Sequence, residues 1–158
     1  MKKIAIVADG WRRYINYAWI SGCRQYIKEK KLDAQLYVFY AFGNFSKDEK
    51  YNQGEYNIIT LPDFRQFDGI IVELTNVLKR KYARKIIDTI RTSKVPAVSL
   101  LERIPGLYFA GIDNYSAMKE IVEHLVTVHG CRKINFVGGP QYAVSYTHLR
   151  AHETEADL

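Results

Sequence analysis

The chain opens on an apolar run, Lys3 to Ala8, in which hydrophobic residues follow one another without polar alternation. Such a run suits a strand covered on both faces. After the loop Asp9-Gly10-Trp11-Arg12-Arg13 the spacing changes. Ile15, Ala18, Trp19, Gly22, Cys23, Tyr26 and Ile27 recur every three or four positions and predict a helix from about Tyr14 to Lys30, with one apolar stripe facing a sheet. Ala34 to Tyr40 is a second strand. Ala41 to Pro62 loses both patterns; it is polar and aromatic, carries Gly43, Asn44, Gly54 and Pro62, and reads as a turn-rich connection. Asp68-Gly69 then turns the chain into a third apolar strand that ends at Glu73. Leu78, Tyr82, Ile86 and Ile90, spaced by four, mark one face of a helix from about Leu78 to Ser93. Pro96 to Leu101 is a fourth strand and Tyr108 to Ile112 a short fifth. Asp113 and Asn114 suit the start of a helix whose Met118, Ile121, Val122, Leu125 and Val126 form an inward face and which stops near His129-Gly130. Lys133 to Val137 is a sixth strand, broken by Gly138-Gly139-Pro140.

Strands that are apolar throughout, separated by amphipathic helices, indicate an α/β fold: a doubly wound parallel sheet with helices on both faces. Right-handed crossovers are expected between its strands. In such a sheet ligands bind outside the carboxyl ends of the strands. The loops found there are Asp9 to Tyr14, Ala41 to Phe45, Glu73 to Asn76, Glu102 to Ile104, Asp113 to Tyr115 and Gly138 to Tyr142. They mix carboxylates, guanidinium groups, amides and aromatic rings, the set with which sugar-like ligands are held. Asp9, Trp11 and Asp113 are the foremost contacts. The structural alternative is that Asp9 and Asp113 cap helices while Trp11 and Tyr14 pack.

Composition narrows the class without changing it. The chain has 158 residues, 47% of them hydrophobic and 25% charged, with a net charge of +6. That is too apolar for a disordered chain, and two cysteines, Cys23 and Cys131, are too few for a disulfide scaffold. No segment reaches the roughly 18 to 20 apolar residues that cross a bilayer. The first apolar run is short and lacks a cleavage site, so it makes a poor signal peptide. A cytoplasmic protein with reduced thiols is expected. The densest basic run, Lys79-Arg80-Lys81-Tyr82-Ala83-Arg84-Lys85, falls mostly opposite the apolar face of its helix and reads as solvated, with a phosphate-binding patch as the alternative.

Enzymatic signatures are absent: no G-x-G-x-x-G follows the first strand, and neither a P-loop nor a G-x-S-x-G is found. No catalytic residue and no cofactor are expected. His124 and His129 read as structural. His148 and His152 have the spacing of a metal pair with Glu153 beside them, but no third ligand is in place, and no metal site is expected.

The stretch Gly111-Ile112-Asp113-Asn114-Tyr115-Ser116-Ala117, then Glu123-His124-Leu125, then His129-Gly130-Cys131-Arg132-Lys133-Ile134-Asn135-Phe136-Val137-Gly138-Gly139-Pro140, resembles the effector-binding core of the LacI/GalR family of bacterial regulators. Asp68-Gly69-Ile70-Ile71 and Val95-Pro96-Ala97-Val98 resemble two further strands of that core. The resemblance runs from about Lys3 to Pro140. It implies one lobe of a type I periplasmic-binding-protein-like fold that senses a small polar metabolite. It also implies effector contacts at Asp9, Trp11, Arg12, Arg13 and Tyr14, at Glu73, and at Asp113 with Asn114. The first loop departs from the family's Asn-Pro-Phe-Phe, and Arg12 with Arg13 favour an acidic ligand.

Family members have a DNA-reading headpiece and a second lobe; neither is read in these residues. The expected organisation is a lobe over residues 1–143 and a foreign tail over 144–158 that looks like translated adapter sequence. Implied partners are a small-molecule effector and a second copy of the intact protein, with no membrane. The output is a headpiece, making a transcriptional regulator, or a carboxyl-terminal enzyme such as a diguanylate cyclase. A small flavodoxin-like enzyme is the rival from another class.

Overall fold

A computed structural model describes residues 1–10, 13–42, 46–75, 77 and 79–135, with Arg13 described by its backbone only. The elements are β1 (Lys2–Asp9), α1 (Arg13–Glu29), β2 (Ala34–Ala41), α2 (Glu49–Thr60), a 3-10 turn (Phe64–Gln66), β3 (Gly69–Glu73), α3 (Arg80–Ser93), β4 (Ala97–Leu100), β5 (Tyr108–Ala110) and α4 (Asn114–Thr127). They fall into two compact units, Met1–Gly111 and Ile112–Leu158.

In the first unit the apolar runs pair as one five-stranded sheet, in the order β2-β1-β3-β4-β5. Every pair is parallel. The register sets which side chains share a face, because successive residues of a strand point to opposite sides. Ala5, Val7, Ile70, Val72 and Ala97 face one layer together with Tyr56 and Ile59 of α2, Phe64, and Tyr82, Ile86 and Ile90 of α3, all of them in the buried core. The four-residue spacing read over Tyr82, Ile86 and Ile90 is therefore the buried face of α3. Leu78, the first residue of that stripe, lies outside the described residues. Arg80, Lys81, Arg84 and Lys85 are exposed, as the solvated reading expects.

Helix α2 corrects the reading of Ala41 to Pro62 as a turn-rich connection. Asp48 supplies the start that the composition obscures: its carboxylate accepts from the backbone N–H groups of Lys50 (2.9 Å) and Tyr51 (3.4 Å). Asn52, Tyr56 and Ile59 then recur at helical spacing as the buried stripe. Asn52 is accommodated there by donating its amide to the Ser46 carbonyl at 2.8 Å. Tyr56 stacks on Tyr82 with ring centroids 4.4 Å apart, joining α2 to α3.

Glu49, at the first turn of α2, joins the same two helices electrostatically. It accepts from Lys79, from Lys81 at 3.0 Å and from the Tyr82 hydroxyl at 2.9 Å. Foremost the Lys79 hydrogen bond, then those from Lys81 and Tyr82, lower its pKa from 4.5 to about 2. A carboxyl lowered by folding contributes stability that is complete above the unfolded value, near 4.5, and is lost as pH falls through about 2. The difference in urea midpoint between the parent chain and Glu49→Gln should thus be constant above pH 4.5 and vanish by about pH 2. A difference that survived at the acid end would contradict this account.

Three further expectations need correction. The apolar stripe of α1 does not pack into the sheet: Ile15, Ala18, Gly22 and Tyr26 are exposed, Trp19, Cys23 and Ile27 are half-buried, and from Tyr14 to Glu29 the buried residue is Asn16. A cavity intervenes between helix and strands, described below. In the second unit, Met118, Ile121, Val122, Leu125 and Val126 do lie along α4, yet no residue of that helix is buried. Lys133, Ile134 and Asn135 form no strand; the remainder of the expected sixth strand lies outside the described residues.

The ends of α4 follow the expected chemistry. Asp113 caps it, accepting from the N–H (3.2 Å) and hydroxyl (2.8 Å) of Ser116. Gly130 adopts the left-handed conformation beyond its last turn (φ +64°), and the Cys131 N–H returns to the Leu125 carbonyl at 3.0 Å. His124 and His129 place their Nε2 atoms 3.1 Å apart. No helix among the described residues is long and apolar enough to cross a membrane.

Candidate functional site

The strand order reverses direction between β1 and β3, since the chain first builds outward to β2 and then returns to the other side of β1. At such a reversal the loops that leave neighbouring strands diverge and open a crevice at the carboxyl edge. β1 ends there in Asp9 and β3 in Glu73, both only 1% exposed. Two buried carboxyl groups at one sheet edge are costly unless their oxygens are matched, so their surroundings carry the information.

The turn out of β1 is tight. Gly10 donates its N–H to the Ala41 carbonyl at 2.8 Å. A Cβ at this position would sit 2.4 Å from Cζ of Phe42, so the close approach of that ring requires glycine or a displaced Phe42. Six residues later Asn16, at the start of α1, donates its side-chain amide back to the Asp9 carbonyl at 2.6 Å. This bond orients the amide: one of its two N–H donors is engaged, and Oδ1 and the second N–H remain.

At the end of β3 the chain curls so that Oε1 of Glu73 accepts from the Thr75 N–H at 2.8 Å and from the Thr75 hydroxyl. Oε2 of Glu73, Oδ1 of Asn16 and the Tyr40 hydroxyl are buried and have no hydrogen-bond partner among the described residues. Burial, with the neighbouring Tyr17 as a smaller cause, raises the pKa of the Tyr40 hydroxyl above its ordinary value.

Register separates the two carboxylates. Ala8 pairs with Tyr40 on one side and with Glu73 on the other, so these three side chains share the α1 face. Asp9, one residue further on, turns to the opposite face with Ala41. On the α1 face a cavity of about 340 Å³ lies between the strands and the helix, floored by Ile6, Ile71, Glu73 and Leu100 and roofed by Asn16 and Trp19. Burial also pushes up the Cys23 thiol on its wall. A larger groove of about 820 Å³ runs from Thr60–Arg65 to the exposed face of α3. It lies before β3, away from the carboxyl edge, and carries charges of both signs.

The structure thus brings Asp9 and Glu73 to one edge. Tyr14 is in the first turn of α1 with 87% of its surface exposed. Trp11, Arg12 and the Arg13 side chain lie outside the described residues, as do the Gly138–Tyr142 loop, His148 and His152. Asp113 and Asn114 begin α4 and belong to the second unit, where Asp113 serves as the helix cap. Asn16 and Tyr40 were missed by sequence reasoning. Asn16 fell one position from the apolar stripe of α1, and a polar residue flanking such a stripe usually reads as solvated; Tyr40 read as part of an apolar strand. A signal for Asn16 existed, since an asparagine in the first turn after an Asp-Gly turn is placed to satisfy the strand's last carbonyl.

No family model matches the chain, and no curated protein matches it. Among solved structures it is similar to the lac repressor dimer bound to operator and the anti-inducer ONPF, with a TM-score of 0.60 at 15% identity. The similarity covers 99% of this chain and 52% of the repressor chain, so this chain spans about half the length of the protein it matches. A likeness of this depth establishes the α/β architecture.

Proposed function

We propose that this chain is the amino-terminal lobe of a ligand-sensing domain of LacI/GalR type, which holds a small polar metabolite at the carboxyl edge of its sheet. The observation that carries the reading is the set of buried polar groups at the β1/β3 reversal: Asp9, Asn16 and Glu73, each at most 2% exposed. Stability alone would favour apolar residues at Asn16 and Glu73, because an unmatched buried polar atom costs about 1–3 kcal/mol. Pre-positioned acceptors are instead what a small-molecule site requires. The likeness to the lac repressor, a protein solved with operator and anti-inducer, supports the regulatory side of this proposal.

In this reading the ligand lies between this lobe and a second one. It shifts an open-closed equilibrium by its higher affinity for the closed form, and the closure reaches an output module. That module is a DNA-reading headpiece in a cytoplasmic, dimeric transcriptional regulator, or a catalytic domain in a signalling enzyme. The lobe itself performs no chemistry. Residues 1–143 form the sensing lobe, and 144–158 contribute nothing to it.

A panel of sugars, nucleobases and amines titrated into the labelled full chain, followed by amide chemical shifts, tests this. Shifts should gather at the carboxyl edge, at Ala8 to Gly10, Glu73 to Thr75 and Leu100 to Leu101. Shifts at the amino edge, or none with any compound, would overturn the reading. The strand order 2-1-3-4-5 is also that of flavodoxin-like proteins. A flavin mononucleotide response at the same edge, with the metabolite panel silent, would favour a flavodoxin-like enzyme instead.

A further inference from the structure

The two histidines at the end of α4 meet in a way that helical spacing alone does not produce. Positions five apart on a continuing α-helix lie about 140° apart around its axis, on different faces. Here the helix stops between them. His124 stands in the last turn, and its carbonyl accepts from the Val128 N–H at 2.9 Å. Gly130, at φ +64°, then reverses the chain, and the Cys131 N–H returns to the Leu125 carbonyl at 3.0 Å. The reversal lays the His129 ring edge-on to that of His124, with centroids 4.9 Å apart and planes at 74°. The two Nε2 atoms are 3.1 Å apart, and both residues are exposed.

We propose that His124 and His129 chelate a divalent ion of the late first-row transition metals, zinc, nickel or copper, through their Nε2 atoms. The proposal departs from the expectation that both rings are structural, and it is independent of the sensing role above. Imidazole nitrogen suits these ions, whereas calcium and magnesium take oxygen. Zinc binds histidine nitrogen at about 2.0–2.1 Å, so nitrogens 3.1 Å apart subtend about 95–100° at the ion, between the right angle of octahedral or square-planar sites and the tetrahedral angle. Both nitrogens offer a lone pair at once when each ring carries its proton on Nδ1, which solvent can partner at an exposed position. The other use of the same approach, one Nε2 donating its proton to the second, contributes little, because a hydrogen bond between exposed neutral groups replaces bonds to water. The carbonyl dipoles of the last turn also favour a cation there. Among the described residues no three histidine, cysteine or acidic side chains are grouped to hold an ion, so water completes the coordination. The bound ion ties the last turn of α4 to the chain that leaves it.

The test titrates zinc chloride into the labelled full chain, followed through the imidazole nitrogens and the backbone amides, with magnesium chloride as the oxygen-seeking control. Zinc should move the Nε2 signals of His124 and His129 and the amides from Val128 to Cys131; magnesium should move none of them. His124→Ala and His129→Ala should each weaken zinc at this site by at least about 10-fold, since even an outer-shell partner of a metal ligand is worth about 10- to 100-fold. Both side chains are exposed, so neither variant empties a packed position, and an unchanged circular dichroism spectrum checks that the fold is kept. His148→Ala breaks the other closely spaced histidine pair of the sequence and should leave the His124 and His129 response as it is. Zinc shifts confined to residues outside His124 to Cys131, an affinity unchanged in both alanine variants, or a response lost in His148→Ala would each overturn the proposal, as would silence toward zinc.

Discussion

Val72→Asp is expected to abolish cooperative folding. Val72 is fully buried on β3, the middle of five strands, where it lies opposite Val7 of β1 and Ser99 of β4. An aspartate there would enter the layer shared with α2 and α3, with no cation in that core to receive it. Burying an unmatched carboxyl in a packed apolar layer costs more than about 4 kcal/mol, against a total stability of about 5–15 kcal/mol for an ordinary domain. The neighbouring position shows why location decides the outcome. Glu73 is equally buried, yet it ends the strand, faces the cavity and accepts two hydrogen bonds from Thr75. Far-ultraviolet circular dichroism and a urea titration read the result; a cooperative transition with the parent midpoint would mean that this layer is not the core.

Phe64→Ala should lower stability by about 3–5 kcal/mol, the usual cost of emptying a buried aromatic site. Phe64 is 2% exposed, and its ring meets that of Phe67 at 6.4 Å. Phe67 in turn stands edge-on to Tyr37 (5.5 Å) and Phe39 (5.9 Å) of β2. The 3-10 turn thereby holds the approach to β3 against the edge of the sheet. Ile121→Ala on α4 is the control, with an expected change within about 0.5 kcal/mol, because that side chain is 54% exposed. Equilibrium denaturation of both variants checks the pair. Comparable losses would place Ile121 in a buried contact after all.

Strands were legible in the sequence because a parallel sheet covered on both faces writes itself as unbroken apolar runs, and Lys3 to Ala8, Ala34 to Tyr40 and Gly69 to Glu73 are such runs. The basic helix was legible for the complementary reason: Tyr82, Ile86 and Ile90 are its buried face, with Ala83 and Ile87 packed beside them. Helix α2 was hidden because Asn52, Gly54 and Asn57 have poor helix propensity and its buried stripe includes an asparagine. There the Asp48 cap and the packing of Tyr56 on Tyr82 outweigh propensity. For α1 the apolar period was read correctly, but periodicity says which side chains share a face and not how closely that face is packed. The carboxyl-edge positions of Asp9 and Glu73 followed from topology. Their assignment to opposite faces did not, since register depends on pairing partners far away in the chain.

The placement of β1 has a consequence for synthesis. One side of β1 closes when Ala34–Ala41 arrives, but the other waits for Gly69, which pairs with Ile4. At about 5–20 residues per second, the interval from Ala41 to Gly69 on the ribosome is about 1–6 s. During it β1, whose last five residues are all buried in the folded protein, presents a bare row of backbone donors and acceptors, the form in which chains associate with one another. Slow or interrupted translation between Ala41 and Gly69 is therefore the stage at which yield, more than final stability, is decided.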